Sequence, residues 1–238
     1  MIPGWSMNSN IWGRAITLLQ AQLNLYCVDL PGLGKANAVK WPENPWEIVT
    51  QISTQVPQNS IWLGWSMGGL LAQKAALTDI VSKLILVASS PCMVTNSDWP
   101  LGIEADLFQQ FFDALKKDHI ATLNRFLALE VQGSRHAARH LKWMRTMTFS
   151  DGEPSKATLL GGMKLLANSN FSQQLDRFTQ DILLVGGQND RLIPWEAIEY
   201  TATHLPTSEL VNIPGAGHAP FISNPELFTS HILDFCCG

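Results

Sequence analysis

Ile61-Trp62-Leu63-Gly64-Trp65-Ser66-Met67-Gly68-Gly69-Leu70 is the stretch on which the reading of this chain turns. An apolar run enters a G-x-S-x-G pentapeptide, and small and apolar residues follow from Met67 to Leu77, so the pattern predicts a buried strand, a sharp turn and a helix. With Gly and Ser each near 7% of residues, the bare pentapeptide arises by chance in roughly one chain in a dozen of this size, and the weight falls on its flanks. In such a turn the serine is held in a strained backbone conformation and its neighbours must be small. Gly64 and Gly68 leave that room, and the Ser66 hydroxyl projects clear of the sheet. An ordinary glycine-rich turn between a strand and a helix is the alternative that the rest of the chain has to exclude.

Further apolar runs lie on both sides. Leu23–Asp29 precedes a Pro-Gly turn, Ser60–Gly64 leads into the pentapeptide, and Lys83–Ala88 follows the helix; Ile182–Val185 ends in Gly186-Gly187, and Glu209–Ile213 in Pro214-Gly215. Short apolar runs closed by loop residues and separated by helical patterns predict a parallel α/β sheet. Between Asp98 and Phe171 the strand signal stops, while Leu107, Phe108, Phe111, Phe112 and Leu115 repeat at helical spacing. This predicts a helical cap, residues 98–171, inserted into a core of residues 1–97 and 172–238. More helices of the core itself are the alternative.

Composition narrows the class. In 238 residues, 46% are hydrophobic and 15% charged, enough apolar surface for one sizeable globular core. Sixteen Lys+Arg against twenty Asp+Glu give a net charge of −4, which excludes a whole-surface nucleic-acid binder but leaves local basic patches open. Arg135, Arg139 and Lys142 recur at i, i+4 and i+7, placing three cations on one face if that segment is helical, with Arg145 close by. Met1-Ile2-Pro3-Gly4-Trp5 lacks the basic region of a signal peptide, and no segment reaches the roughly 20 apolar residues that span a bilayer, so a cytoplasmic protein without a membrane partner is expected. Cys27, Cys92, Cys236 and Cys237 form no CxxC and read as reduced thiols, Cys27 as a buried structural one. Without HExxH, a clustered His/Cys set or a Walker loop, no metal or cofactor is expected.

A serine hydroxyl is a poor nucleophile until a neighbouring base takes its proton, so an imidazole and an orienting carboxylate must follow, in the order Ser, acid, His. Asp190 sits in Gly187-Gln188-Asn189-Asp190-Arg191-Leu192 and His218 in Gly215-Ala216-Gly217-His218-Ala219-Pro220, each a loop just past an apolar run. His119, His136 and His140 fall in the helical insertion and His204 and His231 in helix-like contexts, where solvated faces are expected. A turn-capping carboxylate is the plain alternative for Asp190. The oxyanion of a tetrahedral intermediate needs donors aimed at it. The Met67 N–H, immediately after the serine, is one. Gly4-Trp5 is the one candidate turn near the N-terminus, which makes the Trp5 N–H the other, since Pro3 has none.

Taken together, these elements resemble the α/β-hydrolase superfamily over almost the whole chain. One branch fits best. Val28-Asp29-Leu30-Pro31-Gly32-Leu33-Gly34, the Ile61–Leu70 stretch, Val87-Ala88-Ser89-Ser90-Pro91-Cys92, Arg125-Phe126-Leu127-Ala128-Leu129 and His218-Ala219-Pro220-Phe221-Ile222-Ser223 resemble the esterases that cleave the methyl ester of pimeloyl-acyl carrier protein in biotin synthesis. The resemblance implies a triad of Ser66, Asp190 and His218 and an oxyanion hole from Trp5 and Met67. Phe126, Leu127, Ala128, Leu129 and Glu130 would line the acyl site beside Trp5, Ser66, Met67 and His218, with methanol released and no cofactor. It further implies acyl carrier protein as partner of a monomer. Because that carrier is acidic, cations must meet it: Arg125, which matches a carrier contact of the family, and Arg135, Arg139 and Lys142. Ala121 and Ala138 stand where the family has further arginines. The family also has strands ahead of the oxyanion loop, including a central one between the Leu23–Asp29 and Ser60–Gly64 strands, whereas here Met1-Ile2 alone precede Pro3-Gly4-Trp5. The expectation is unpaired backbone groups in mid-sheet, through a recorded start that is too late or through a rearranged sheet. A broad short-chain carboxylesterase or thioesterase with the same triad, and a non-catalytic ligand-binding relative, remain as alternatives.

Overall fold

The computed structural model describes residues 1–238. In chain order the helices and strands are α1 (Gly13–Leu19), α2 (Glu47–Ser53), β1 (Ser60–Trp65), α3 (Met67–Ala76) and β2 (Val81–Val87). Then come α4 (Ala105–Lys117), α5 (His119–Glu130), α6 (Ala137–Thr148) and α7 (Lys156–Asn168). The chain closes with β3 (Asp181–Gly187), α8 (Trp195–His204), β4 (Ser208–Ile213), α9 (Pro220–Ser223) and α10 (Pro225–Cys237). The four strands form one parallel sheet in the order β1-β2-β3-β4, with Trp65 opposite Val87, Val87 opposite Val185 and Gly187 opposite Ile213. β1 and β3 are half-buried or exposed where they begin, and β1, β2 and β3 are all buried over their last four residues. Helices cover both faces: α3 lies on β1 and β2, α8 on β3 and β4, and α1 packs with α10. That is why their sequences read as unbroken apolar runs.

One expected strand does not form. Leu23–Asp29 forms no regular strand, and its contact with the sheet runs through Met1-Ile2. The Ile2 N–H donates to the Leu63 carbonyl at 2.8 Å, the Trp65 N–H to Ile2 at 3.0 Å, and the Val28 N–H to Met1 at 3.2 Å. These two residues therefore bridge β1 and the Tyr26–Val28 segment at the end of the sheet nearest Ser66. Toward the other end, where the gap is unfilled, an apolar cavity of about 350 Å³ opens between Leu23, Leu25, Ile61, Leu63 and Ile232. The expected disruption is thus confined to the half of the sheet away from the serine.

Residues between β2 and β3 contribute four helices. Asp118 caps α5 by accepting the Ala121 N–H at 3.0 Å, and Ser155 caps α7 by accepting the Thr158 N–H at 3.1 Å, contacts worth about 1 kcal/mol each. Leu115, Leu123, Leu127, Met144, Leu159 and Met163 from these helices belong to the same 57-residue apolar cluster as the sheet. The helices are consequently seated on the core rather than hinged away from it. Leu107 turns outward, 58% exposed, while Leu115 is fully buried, so the apolar stripe of α4 is narrower than its sequence spacing predicts.

Candidate active site

Each candidate residue stands just beyond the carboxyl end of a strand: Ser66 after β1, Asp190 after β3, His218 after β4. Ser66 adopts φ 52°, ψ −118°, a conformation that an L-residue holds only under tertiary constraint. The constraint is visible in its neighbours. A Cβ on Gly64 would collide with the Gly68 carbonyl, and a Cβ on Gly68 would come within 2.6 Å of the Pro3 carbonyl oxygen and closer still to that of Ile2. Both glycines of the pentapeptide are therefore required by close approach of backbone to backbone, and the second brings the N-terminal segment against the start of α3. Ser89, buried at the end of β2, donates its hydroxyl to the Ser66 carbonyl at 2.9 Å and holds the turn from behind.

Asp190 and His218 meet. His218 Nδ1 lies 2.8 Å from Asp190 Oδ2, with both side chains buried. A carboxylate only accepts, so the Nδ1 proton faces it and Nε2 is left as the acceptor. Asp190 Oδ1 accepts the backbone N–H of Leu192 at 2.8 Å and of Ile193 at 3.1 Å, which fixes the carboxylate. His218 Nε2 is buried and has no partner, and the Ser66 hydroxyl makes no hydrogen bond to it. The tryptophan before the serine closes the arrangement: Trp65 Nε1 donates to the His218 carbonyl at 2.8 Å, with the two rings 5.7 Å apart.

At the proposed oxyanion position, the Trp5 N–H is bonded to no other backbone group. The Met67 N–H opens α3, where the first turn has no partner within the helix. The Trp5 indole is fixed by donating to the Leu159 carbonyl at 2.9 Å and packs against Phe126 and Phe111, ring centroids 4.9 and 5.8 Å away. This gives an aromatic wall beside the serine turn, supplied partly by the inserted helices.

The run Phe126 to Glu130 is divided by its own helix. Five helical residues exceed one turn, so they cannot all face one side. Phe126 meets Trp5, Leu127 and Glu130 are buried, and Ala128 and Leu129 are exposed on the outer face, away from Trp5. Glu130 is 1% exposed with neither carboxylate oxygen hydrogen-bonded. Burial, reinforced by the charge of Asp190, pushes its carboxyl well above the usual range.

Of the cations, Arg125 is exposed on α5, and Arg139 and Lys142 are exposed on α6. Arg135 does not share their helix face: it lies in the turn before α6, which begins only after His136 at φ 68°. Arg139 and Lys142 line a cavity of about 530 Å³ with Arg14, His136 and Trp143. His140 is not solvated as expected; it is 6% exposed beside the Ser134 hydroxyl, and burial lowers its pKa. Cys27 is half-buried and Cys92 is the buried thiol, the reverse of the expected emphasis, because the segment holding Cys27 flanks the apolar cavity. Sequence reasoning singled out neither Ser89 nor Asn189 for its contacts. The Trp65 link to His218 had a signal only as part of a family resemblance.

Residues 1–225 match the α/β-hydrolase fold family. A pimeloyl-[acyl-carrier protein] methyl ester esterase of Nitrosomonas europaea is 38% identical over 97% of this chain and 92% of its own length. One of the same name from Xylella fastidiosa is 37% identical over 99% of this chain and 93% of its own length. Among solved structures, an esterase from Exiguobacterium antarcticum superposes with a TM-score of 0.86, at 24% identity over all of this chain and 92% of its own, a likeness of fold.

Proposed function

The chain belongs to the α/β-hydrolase family, alongside the pimeloyl-[acyl-carrier protein] methyl ester esterases, and from that premise we propose that it hydrolyses the methyl ester of a pimeloyl chain carried on acyl carrier protein, with Ser66 as nucleophile. The enzyme class is carboxylesterase. The observation that carries the reaction type is the buried His218–Asp190 pair at 2.8 Å, on loops that open at the same sheet edge as the Ser66 turn.

In this reading Ser66 Oγ attacks the ester carbonyl carbon while His218 Nε2 takes the hydroxyl proton. Asp190 steadies the imidazolium, and the N–H groups of Trp5 and Met67 receive the charge gathering on the carbonyl oxygen. Collapse of the intermediate breaks the bond to the methoxy oxygen, which leaves as methanol with the proton from His218. Water, deprotonated by the same nitrogen, then cleaves the acyl-enzyme, restoring the Ser66 hydroxyl and releasing the carboxylate. The absence of a Ser66–His218 hydrogen bond is compatible with this sequence, since such contacts often tighten only with substrate bound.

The acyl chain would run past Trp5 and Phe126 beneath a lid of residues 98–171, with residues 1–97 and 172–238 as the core. Arg125, Arg139 and Lys142 would meet the acidic carrier, in an enzyme working as a cytoplasmic monomer and supplying biotin synthesis. Methanol release from the carrier-bound ester tests the reading directly. Charge reversal at Arg125 and Arg139 is expected to raise KM for the carrier substrate about tenfold while leaving a small soluble ester untouched, because each exposed contact contributes only modestly and acts on encounter. Equal effects on both substrates would favour a broad esterase indifferent to the carrier.

A further inference from the structure

The C-terminal end of α5 and the turn that follows it hold both candidate catalytic loops. The Glu130 carbonyl accepts the His218 N–H at 3.2 Å, and the Gly133 carbonyl accepts the Asn189 side-chain amide at 2.9 Å. Contacts are so close that a Cβ on Gly133 would lie 2.6 Å from the Asn189 carbonyl and one on Gly217 2.7 Å from the Gln132 carbonyl. The side chain of Glu130, the residue whose carbonyl takes the His218 N–H, is buried and without a single hydrogen bond.

We propose that Glu130 is a positioning residue for ester hydrolysis: an uncharged carboxylic acid at the clasp between α5 and the His218 loop, whose ionisation opens the clasp and displaces the imidazole. This rests on the esterase reading and adds to it a regulation by protonation. The physical case is one of compensation. A carboxylate at this position would be a buried anion with no donor, facing Asp190 from the loop after β3. His218, on the loop after β4, gives Glu130 its main-chain N–H, and its ring is committed to Asp190. Arg135 and Arg191, the nearest cations in sequence on the same turns, are exposed to solvent. No charge acting on Glu130 favours its ionised form, so ionisation is relieved by moving the carboxylate toward water, and the carbonyl that holds His218 moves with it.

The test is kcat against pH for a soluble p-nitrophenyl ester, in the wild type and in Glu130→Gln, which is neutral at every pH. As pH rises above the ordinary carboxyl value of 4.5 through the ionisation of Glu130, wild-type kcat is expected to fall about tenfold relative to that of Glu130→Gln, with KM little changed. A second measurement needs no variant. Amide exchange at His218 in the wild type should quicken by more than the usual factor of about ten per pH unit over the same interval, because opening adds to base catalysis. Superimposable profiles for the two enzymes, or His218 exchange that follows base catalysis alone, overturn the proposal. A wild type that hydrolyses no ester at any pH overturns the esterase reading itself, a result distinct from an active enzyme whose pH profile ignores residue 130.

Discussion

His218 Nδ1 stands 2.8 Å from Asp190 Oδ2, while the second oxygen of the same carboxylate is taken by the backbone of Leu192 and Ile193. The carboxylate thus has two separable tasks, holding its own loop with Oδ1 and the imidazole with Oδ2. Asp190→Asn can retain the first through its amide oxygen but presents an N–H to Nδ1, forcing the proton onto Nε2, where the nucleophile's proton must go. A loss of about 10³–10⁴ in kcat with a near-normal melting temperature is expected. Steady-state kinetics beside thermal unfolding checks it, and a large drop in melting temperature would make Asp190 a fold residue first.

Ser66 sits at φ 52°, a strain that glycine relieves. Ser66→Gly is therefore expected to be more stable than the wild type by about 1 kcal/mol while losing hydrolysis by several orders of magnitude. Urea unfolding provides the measurement. A less stable Gly variant would mean that the turn gains more from the serine side chain than its backbone loses.

Gly68→Ala tests the close approach of the N-terminal segment to α3. The new methyl group meets the carbonyls of Ile2 and Pro3, and backbone cannot swing aside as a side chain can. Residues 2–5 must move, taking the Trp5 N–H with them. A destabilisation of about 2 kcal/mol or more together with at least about a hundredfold loss of kcat is expected, the latter comparable to removing one oxyanion donor. Unchanged kcat in a folded Gly68→Ala protein would remove Trp5 from the oxyanion role.

Glu130 makes stability depend on pH in a definite direction. Its carboxyl is raised in the fold, so between the ordinary value of 4.5 and the raised one the native state holds a proton that the unfolded chain has lost. Stability relative to Glu130→Gln is then greatest below pH 4.5 and declines as pH rises, by about 1.4 kcal/mol per unit until Glu130 ionises in the native state. Denaturant titrations at several pH values should show the two proteins diverging upward from about pH 4.5 in favour of the Gln variant; parallel curves would place Glu130 in water.

Much of this was legible from spacing alone. Four of five expected strands form within two residues of their apolar runs, and Ser66, Asp190 and His218 all stand at the carboxyl edge where strand-then-loop patterns put them. Period and punctuation are local properties, and a parallel strand buried on both faces prints them directly in its residues. Where the expectation failed, the deciding partner was distant. Leu23–Asp29 has a strand's composition but is hydrogen-bonded at Tyr26 and Val28 to Met1 and to no regular strand, and Arg135 has a helix's spacing but precedes a left-handed His136.

The sequence by itself determined the order of elements, the serine turn with its two small neighbours, and which carboxylate and imidazole would be found together, Asp190 and His218. Only the tertiary structure decided that the Glu130 carboxyl is buried and unpartnered, that Ala128 and Leu129 face outward, and that Ser89 and Trp65 brace the turn and the histidine. The physical reason is that chemical type and local period are written along the chain. Desolvation and hydrogen-bond partnership, by contrast, depend on which segments, more than a hundred residues apart in the case of Trp65 and His218, come to share the same few ångströms.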